Sequence, residues 1–277
     1  MNIGVIIQAR SSSSRLPRKV LKPLPFDSDI CVLQQVIRRV SKSKLIDKVI
    51  IATSTNEEDK DIVEVAKKEN VMYYCGSLNN VLERYYDAAK LNELDIVVRI
   101  TSDCPCVDFE IIDDVIQYHL DNVADYTSNS LVESFPRGID CEVINFEVLK
   151  EAYFNATEKY EKEHVTPYIY KSYPEKFKIS KFVGESNNSD IRITLDTSQD
   201  YSLLCIIYDE LYQKNNYFLL SDILELFENK PWLKHINEDV IQKKVCNNLQ
   251  EELQEAISLC KRQDLDRAKK FLESNLE

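Results

Sequence analysis

Four cations fall within ten residues of an acidic chain. The segment runs Gln8-Ala9-Arg10-Ser11-Ser12-Ser13-Ser14-Arg15-Leu16-Pro17-Arg18-Lys19, with Arg10, Arg15, Arg18 and Lys19 carrying the charge. Guanidinium forks, serine hydroxyls and backbone N–H groups together suit a triphosphate. Charge alone fits a solvated, Ser-rich surface loop equally well. Position favours phosphate: the segment directly follows the first apolar run, and open α/β sheets bind ligands at the carboxyl ends of their strands. Two aspartates, Asp103 and Asp196, stand just past two later apolar segments. A lone Asp after a strand is ordinarily a turn or cap residue. If both segments lie in one sheet, however, the two carboxylates can converge at its carboxyl edge.

The elements that must position these groups alternate over the first 120 residues. Asn2–Gln8 is a short apolar run suited to a buried strand. Ile30, Leu33, Val36, Ile37 and Val40 follow at helical spacing, and Lys48–Thr53 reads as a second strand. Thr55 and Glu58 predict a capping box ahead of Ile62, Val65 and Ala66. Val71–Cys75 is a third strand, Val81, Leu82, Tyr85 and Ala89 mark a helix, and Asp95–Thr101 is a fourth strand. Asp108 is placed to cap the next helix. Strands alternating with helices predict an α/β fold, doubly wound around a mostly parallel sheet. From Ala124 to Ser180 the alternation loosens and predicts an excursion from the sheet, with a strand over Val143–Phe146 and a helix over Glu158–Tyr170. Asp190–Leu195 returns to strand character, Ser198–Gln213 is helical, and Asn247–Leu276 predicts one polar helix or two.

Composition narrows the function. The chain has 277 residues, 44% of them apolar and 30% charged, which suits one core domain with attachments. A net charge of −12 repels nucleic acid, so no nucleic-acid partner is expected. No apolar run approaches the length of a membrane span. Met1–Gln8 is too short for a signal peptide and no small-residue cleavage site follows, so a cytoplasmic location is expected. The eight cysteines, Cys246 among them, include no Cys-x-x-Cys pair, which disfavours zinc ribbons and thioredoxin-like chemistry. There are only four glycines; neither G-x-G-x-x-G nor G-x-x-x-x-G-K-[ST] can be written, so the usual dinucleotide fingerprint and the P-loop are absent.

The first loop resembles the Q-A-R-x-G-S-x-R-L-P-x-K signature of cytidylyltransferases, most closely the spore-coat polysaccharide biosynthesis protein F group and more distantly the CMP-KDO and CMP-sialic acid synthetases. The likeness continues through Ile50-Ile51-Ala52-Thr53-Ser54 with Asp59 beyond, Gly76-Ser77, and Val81-Leu82-Glu83-Arg84-Tyr85. It runs on through Arg99-Ile100-Thr101-Ser102-Asp103-Cys104-Pro105, through Pro136, Gly138, Asp140 and Glu142, and through Glu163-His164-Val165-Thr166-Pro167. It ends in Arg192-Ile193-Thr194-Leu195-Asp196-Thr197 with Asp200. Ser12 and Arg18 stand where the family's loop has glycines, residues that permit φ > 0 and close approach to phosphate.

The resemblance implies a nucleotidyltransferase domain over 1–240, an acceptor-binding and dimerisation segment over 125–180, and a helical extension over 241–277. It implies transfer of CMP from CTP to a sugar or sugar acid for surface glycan synthesis by a homodimer, with Mg²⁺ held by Asp103 and Asp196. Arg10, Lys19 and Asp103 are the implied catalytic groups. Gln8, Ala9, Arg10, Ser13, Arg15 and Lys19 are expected on the nucleotide, with Thr53, Ser77, Arg84 and Thr101 at base and ribose. Tyr126, Asn129, Asp140, Glu142, Glu163 and His164 are expected on the acceptor. Two other readings compete. A nucleotide-sugar glycosyltransferase would use a D-x-D motif, which Asp59 and Asp61 spell on the second helix. A non-catalytic binding protein of the same fold would explain the missing loop glycines.

Overall fold

The computed structural model describes residues 1–241 and 248–275. Cys246 and the two ends of the expected terminal helix, Asn247 and Leu276, lie outside them. The chain divides into two compact units, Met1–Val240 and Ile241–Glu277.

The first unit is built on one seven-stranded sheet. Its strands are β1 (Ile3–Gln8), β2 (Lys48–Ser54), β3 (Met72–Gly76), β4 (Ile96–Thr101), β5 (Tyr126–Ser128), β6 (Glu142–Asn145) and β7 (Ile179–Lys181), in the order β3-β2-β1-β4-β6-β5-β7. The first four pair in parallel, and β6 runs antiparallel to both its neighbours. The expected mostly parallel, doubly wound α/β sheet is therefore what forms. Successive side chains of a strand point to opposite faces, and both faces are covered. Val5 and Ile7 enter the core beneath α1 (Val32–Val40), α2 (Lys60–Lys68) and α4 (Phe109–Asp121). Ile6 enters the opposite core with α3 (Val81–Leu91), α5 (Phe146–Asn155) and residues flanking α6 (Lys159–His164). A third core gathers Ile191, Ile193 and Leu195 with α7 (Ser198–Leu211) and α8 (Leu220–Asn229).

Three expectations need correction. The 125–180 stretch does not leave the sheet: β5, β6 and β7 extend it. These strands are only three or four residues long, too short to show a clear period in sequence. Its expected long helix is broken. α6 ends at His164, and a separate π-turn over Tyr168–Ser172 follows Pro167. Asp190–Leu195 is not a sheet strand but an extended strap, in which Arg192 forms an isolated bridge with Arg137. Its alternating apolar residues, Ile191, Ile193 and Leu195, pack into the third core, which mimics a strand pattern without a ladder.

The second helix also begins differently. A 3-10 turn over Glu57–Asp59 precedes α2, and no side chain caps it. Asp108 does cap α4, accepting from the backbone N–H of Glu110 and Ile111. In the second unit α9 (Leu249–Arg262) and α10 (Asp266–Glu273) pack on each other, and neither contains a buried residue.

Candidate active site

Parallel register brings the loop-bearing ends of three strands together. Gln8, the last residue of β1, pairs with Ala52 of β2 on one side and Thr101 of β4 on the other. The chain winds outward from β1 to β3 on one side and returns to β4 on the other, so the β1/β4 boundary is a topological switch point, where such sheets form a ligand crevice. The cationic loop leaves β1 here, Thr53 sits near the end of β2, and Asp103 lies two residues past β4.

The loop is anchored by a residue to which the sequence assigned no role here. Asp59, fully buried, accepts the Ser11 N–H on Oδ1 at 2.6 Å and the Ser54 hydroxyl on Oδ2. Ser11 Oγ donates to Glu58 O at 2.7 Å, and Arg18 N donates to Ser11 O at 3.1 Å to close the loop's base. Asp61 instead pairs with exposed Arg18. The two aspartates of the D-x-D string thus serve different contacts and do not converge, which removes the observation that favoured a glycosyltransferase. Arg18 adopts φ 54°, ψ 29°, so the family's glycine there meets a real left-handed requirement. Ser12 does not have a positive φ, so the backbone does not demand glycine at that position.

Asp103 and Asp196 do converge. Lys19 Nζ donates to Asp103 Oδ2 at 2.6 Å and to Asp196 Oδ1 at 2.8 Å. The meeting does not come from a shared sheet. The strap is laced onto the loop after β4, with Leu195 N donating to Asp103 O at 2.8 Å and Thr194 Oγ1 to the same oxygen at 3.2 Å. Gly138 lets its own segment press on the strap as well: its φ is 110°, and a Cβ there would stand 2.8 Å from the backbone of Ile193 and Thr194. Arg15 and Arg192 approach Asp196 Oδ2 at 3.1 and 2.8 Å. Burial alone would raise the Asp196 carboxyl, but the Lys19 ammonium and the guanidinium contacts outweigh it and lower it to about 2. Burial likewise opposes the Lys19 charge, and the two carboxylates reverse that and raise its pKa.

A second cluster lies on the β2 side. Arg84 is 1% exposed, with neither Nε nor Nη1 hydrogen-bonded. Thr53 Oγ1 and Gln8 Oε1 are also buried without partners. Burial lowers the Arg84 pKa, and nearby Arg10 acts in the same direction. Leaving a buried polar group unsatisfied costs about 1–3 kcal/mol, and more for a charge. Arg10 itself is exposed, Ser13 and Ser77 are half-buried, and buried Ala9 donates its N–H to Ala52 O at 3.0 Å. Thr101 Oγ1 lies 3.2 Å from Cys104 Sγ.

The expected acceptor residues divide. Glu142, Tyr126 and Thr166 form a buried knot with Arg99, a residue the sequence matched to a motif without giving it a role. Arg99 and the Tyr126 hydroxyl both donate to Glu142, and Thr166 Oγ1 donates to Glu142 Oε1 at 2.8 Å. Asn129 does not face this knot; its amide is spent on Ile139 O and Cys141 N, both at 2.8 Å. Asp140 Oδ2 accepts the Gly138 N–H at 3.0 Å, and burial raises its pKa despite Arg137. Glu163 and His164 are half-buried. Burial lowers the His164 pKa; Glu163 opposes this, while Arg99 and Arg10 add to it. The next residue, Val165, has φ 73° and ψ −57°, with Thr166 N donating to His164 O at 2.9 Å. That is a γ-turn of the rare, strained hand, and a β-branched residue there is an outlier of the kind that clusters at functional sites.

A doubly wound sheet with a cationic loop, a converged carboxylate pair and unsatisfied polar groups at its switch point defines a nucleotidyltransferase architecture. The chain belongs to the cytidylyltransferase family, whose model matches residues 4–271. It is 40% identical over 248 residues to an uncharacterised protein of Methanocaldococcus jannaschii, covering 88% of this chain and 97% of that one. It is 32% identical over 235 residues to the spore coat polysaccharide biosynthesis protein SpsF of Bacillus subtilis, covering 83% and 95% of the two chains. A solved cytidylyltransferase of Leptospira borgpetersenii superposes with a TM-score of 0.79 at 32% identity, covering 90% of this chain and all of that one. Members of the family are CTP-dependent nucleotidyltransferases. Among the described residues no helix is long and apolar enough to cross a membrane.

Proposed function

We propose that this chain transfers CMP from CTP to a hydroxyl of a sugar or sugar acid, releasing pyrophosphate, in the synthesis of a surface polysaccharide. The observation that carries the reading is the convergence of Asp103 and Asp196 on one ammonium, Lys19, beside the loop that follows β1. In the reaction an acceptor oxygen bonds to the α-phosphorus as the bond from that phosphorus to the α–β bridging oxygen breaks. The electron pair leaves with pyrophosphate, and the acceptor's proton passes to solvent or a nearby base. Positioning and charge stabilisation supply most of the catalysis for such transfers.

Each residue has a part in this reading. Arg10, Arg15 and Lys19 bind the triphosphate, and Arg10 and Lys19 steady the charge that grows on the leaving group. Gln8, Ala9 and Ser13 line the phosphates and ribose, with Ser77 and Thr101 beside the base and ribose. Arg84 and Thr53 present their unsatisfied polar atoms to the base; a guanidinium suits the carbonyl and ring-nitrogen acceptors of cytosine. An all-oxygen carboxylate pair fits Mg²⁺, which commonly takes one or two carboxylates plus phosphate oxygens. Mg²⁺ held by Asp103 and Asp196 would neutralise phosphate charge. Glu142, Tyr126, Asp140, Glu163 and His164 form the acceptor side. The enzyme works in the cytoplasm as a homodimer through the 125–180 segment, a reading supported by the exposed Phe154 and Tyr173 there.

Mixing the protein with CTP, Mg²⁺ and a panel of sugars and sugar acids tests the function by pyrophosphate release. Release with no acceptor on the panel, or equal release from all four nucleoside triphosphates, would sink the reading. Light scattering at micromolar concentration tests the dimer, and a clean monomer refutes it.

A further inference from the structure

The motif that carries Asp196 contains a second carboxylate with no part in the reaction described above. Asp200 is fully buried in the first turn of α7. Its Oδ2 accepts from Asp196 N at 2.9 Å, Thr197 N at 2.9 Å, Thr197 Oγ1 at 3.0 Å and Arg192 Nη2 at 3.2 Å. Its Oδ1 accepts from Arg192 Nε at 2.9 Å and Asn237 Nδ2 at 2.8 Å. Six donors therefore converge on a group with about four lone-pair sites. A capping box accounts for the contacts to Thr197. It does not account for Arg192 or Asn237.

Arg192 links the buried carboxylate to the site. The Nη2 atom that meets Asp200 also donates to Asp196 Oδ2 at 2.8 Å, while the other oxygen of Asp196 faces Lys19. The Asp196 carboxylate is thus divided, one oxygen held by Arg192, with Arg15 at 3.1 Å, and one presented to the crevice. Arg192 has an exposure of only 12%, so its charge is poorly screened and needs a partner. Asp200 is that partner.

We propose that Asp200 is a positioning residue for nucleotidyl transfer. It fixes Asp196 through the backbone of Asp196–Thr197, and it holds the Arg192 charge so that the guanidinium orients one oxygen of Asp196 without claiming both. The proposal rests on the reading of Asp196 as a metal-bearing carboxylate. Asp200→Asn keeps the side chain's shape but removes its charge. It also leaves an acceptor on only one of two atoms that now face donors. Arg192 then shifts its weight onto Asp196 and competes with a divalent cation for it.

The test is Mn²⁺ binding in the presence of CTP, read by electron paramagnetic resonance on wild type, D200N, D200N/R192M, N237A and D196N. CTP binding without metal is measured alongside. D200N is expected to weaken Mn²⁺ binding about ten- to a hundredfold, as loss of groups that orient metal ligands does elsewhere. Metal-free CTP affinity should change far less. Adding Arg192→Met should recover most of the Mn²⁺ affinity, because the freed cation is gone. A merely structural Asp200 would lower thermal stability with unchanged Mn²⁺ affinity, or make the double variant worse than the single; either result overturns the proposal. If D200N does not fold, N237A takes its place, with a smaller loss expected in the same direction and an unchanged affinity overturning it. D196N separates the two readings. Survival of Mn²⁺ binding in D196N removes the metal site itself. Its loss in D196N but not in D200N or N237A removes the positioning role alone.

Discussion

Lys19 Nζ lies 2.6 Å from Asp103 Oδ2, with Asp196 Oδ1 a further contact at 2.8 Å. On the proposed reading the ammonium sits between the carboxylates where a divalent cation would be held, so without nucleotide the two cations would compete for the same oxygens. A triphosphate changes the balance, because it offers Lys19 new anionic partners and adds oxygens for a metal. Metal and CTP should therefore bind with positive coupling, each tightening the other by the same factor. Lys19→Met should raise Mn²⁺ affinity in the absence of CTP about tenfold, reduce the coupling and lower turnover about a hundredfold or more. Calorimetric titration of Mn²⁺ with and without CTP measures this. Equal metal affinity in wild type and K19M would rule the competition out.

Arg84 carries a different expectation. A buried guanidinium without a hydrogen bond on Nε or Nη1 costs the free protein stability, and an apolar residue of similar length removes that cost. Arg84→Met should raise stability by about 1 kcal/mol or more and weaken CTP binding about tenfold or more. Function and stability should move in opposite directions, the usual mark of a strained binding residue. Thermal melting and CTP titration on the same sample decide it. A drop in melting temperature would mean that Arg84 is structural.

What the sequence made legible follows its periods. In the first 120 residues long apolar runs alternate with helices, and the parallel strands, the switch point and the loop after β1 follow from them. The strap failed for a physical reason: Ile191, Ile193 and Leu195 alternate because one side packs on α7 and α8, and no periodic signal tells such a strap from a ladder. Asp103 and Asp196 were found by motif, but the contact that joins them, Leu195 N to Asp103 O, is a backbone bond that side-chain identity does not encode. Asp59 and Asp200 act as buried acceptors for backbone N–H groups, and Arg84 looks in sequence like any exposed helix charge. Burial separates these cases, and burial of a polar residue is a tertiary property.

The histidines predict a pH dependence of stability. His119 is buried, with ring nitrogens 2.9 Å from Thr127 Oγ1 and 3.0 Å from Asn145 Oδ1; burial lowers its pKa, and the Asn145 contact opposes that only in part. His164 is lowered as well. Unfolded histidine takes a proton near pH 6.5, whereas these two take it only at lower pH when folded. Below about pH 6.5 the unfolded state therefore binds more protons, and stability falls as pH falls. Urea unfolding at several pH values between 7 and 5 should show this decline, and His119→Gln should make it shallower. Identical slopes in the two proteins would count against it.

The final expectation separates the two carboxylates. Asp103→Asn should abolish transfer yet leave the fold intact, because the interactions that pin residue 103 use its backbone oxygen, which accepts from Leu195 N and Thr194 Oγ1. The new amide keeps an oxygen but loses the charge that would oppose Lys19 and hold a metal. Arg10, Arg15 and Lys19 remain, so CTP binding should fall much less than turnover. Asp196→Asn should cost the same activity but also stability. Its carboxylate balances Arg15 and Arg192 as well as Lys19, and breaking a partly buried ion pair leaves cations uncompensated. A loss of about 1–3 kcal/mol is expected, against a smaller one for D103N, whose carboxylate pairs with Lys19 but with neither arginine. In activity the double variant should be little worse than either single, since residues acting as one unit are not additive. Turnover with CTP and saturating Mg²⁺, and urea unfolding of all three variants, provide the comparison. Near-normal turnover in D103N would make Asp103 a turn residue, and equal stability losses in the two single variants would contradict the assignment of the cations to Asp196.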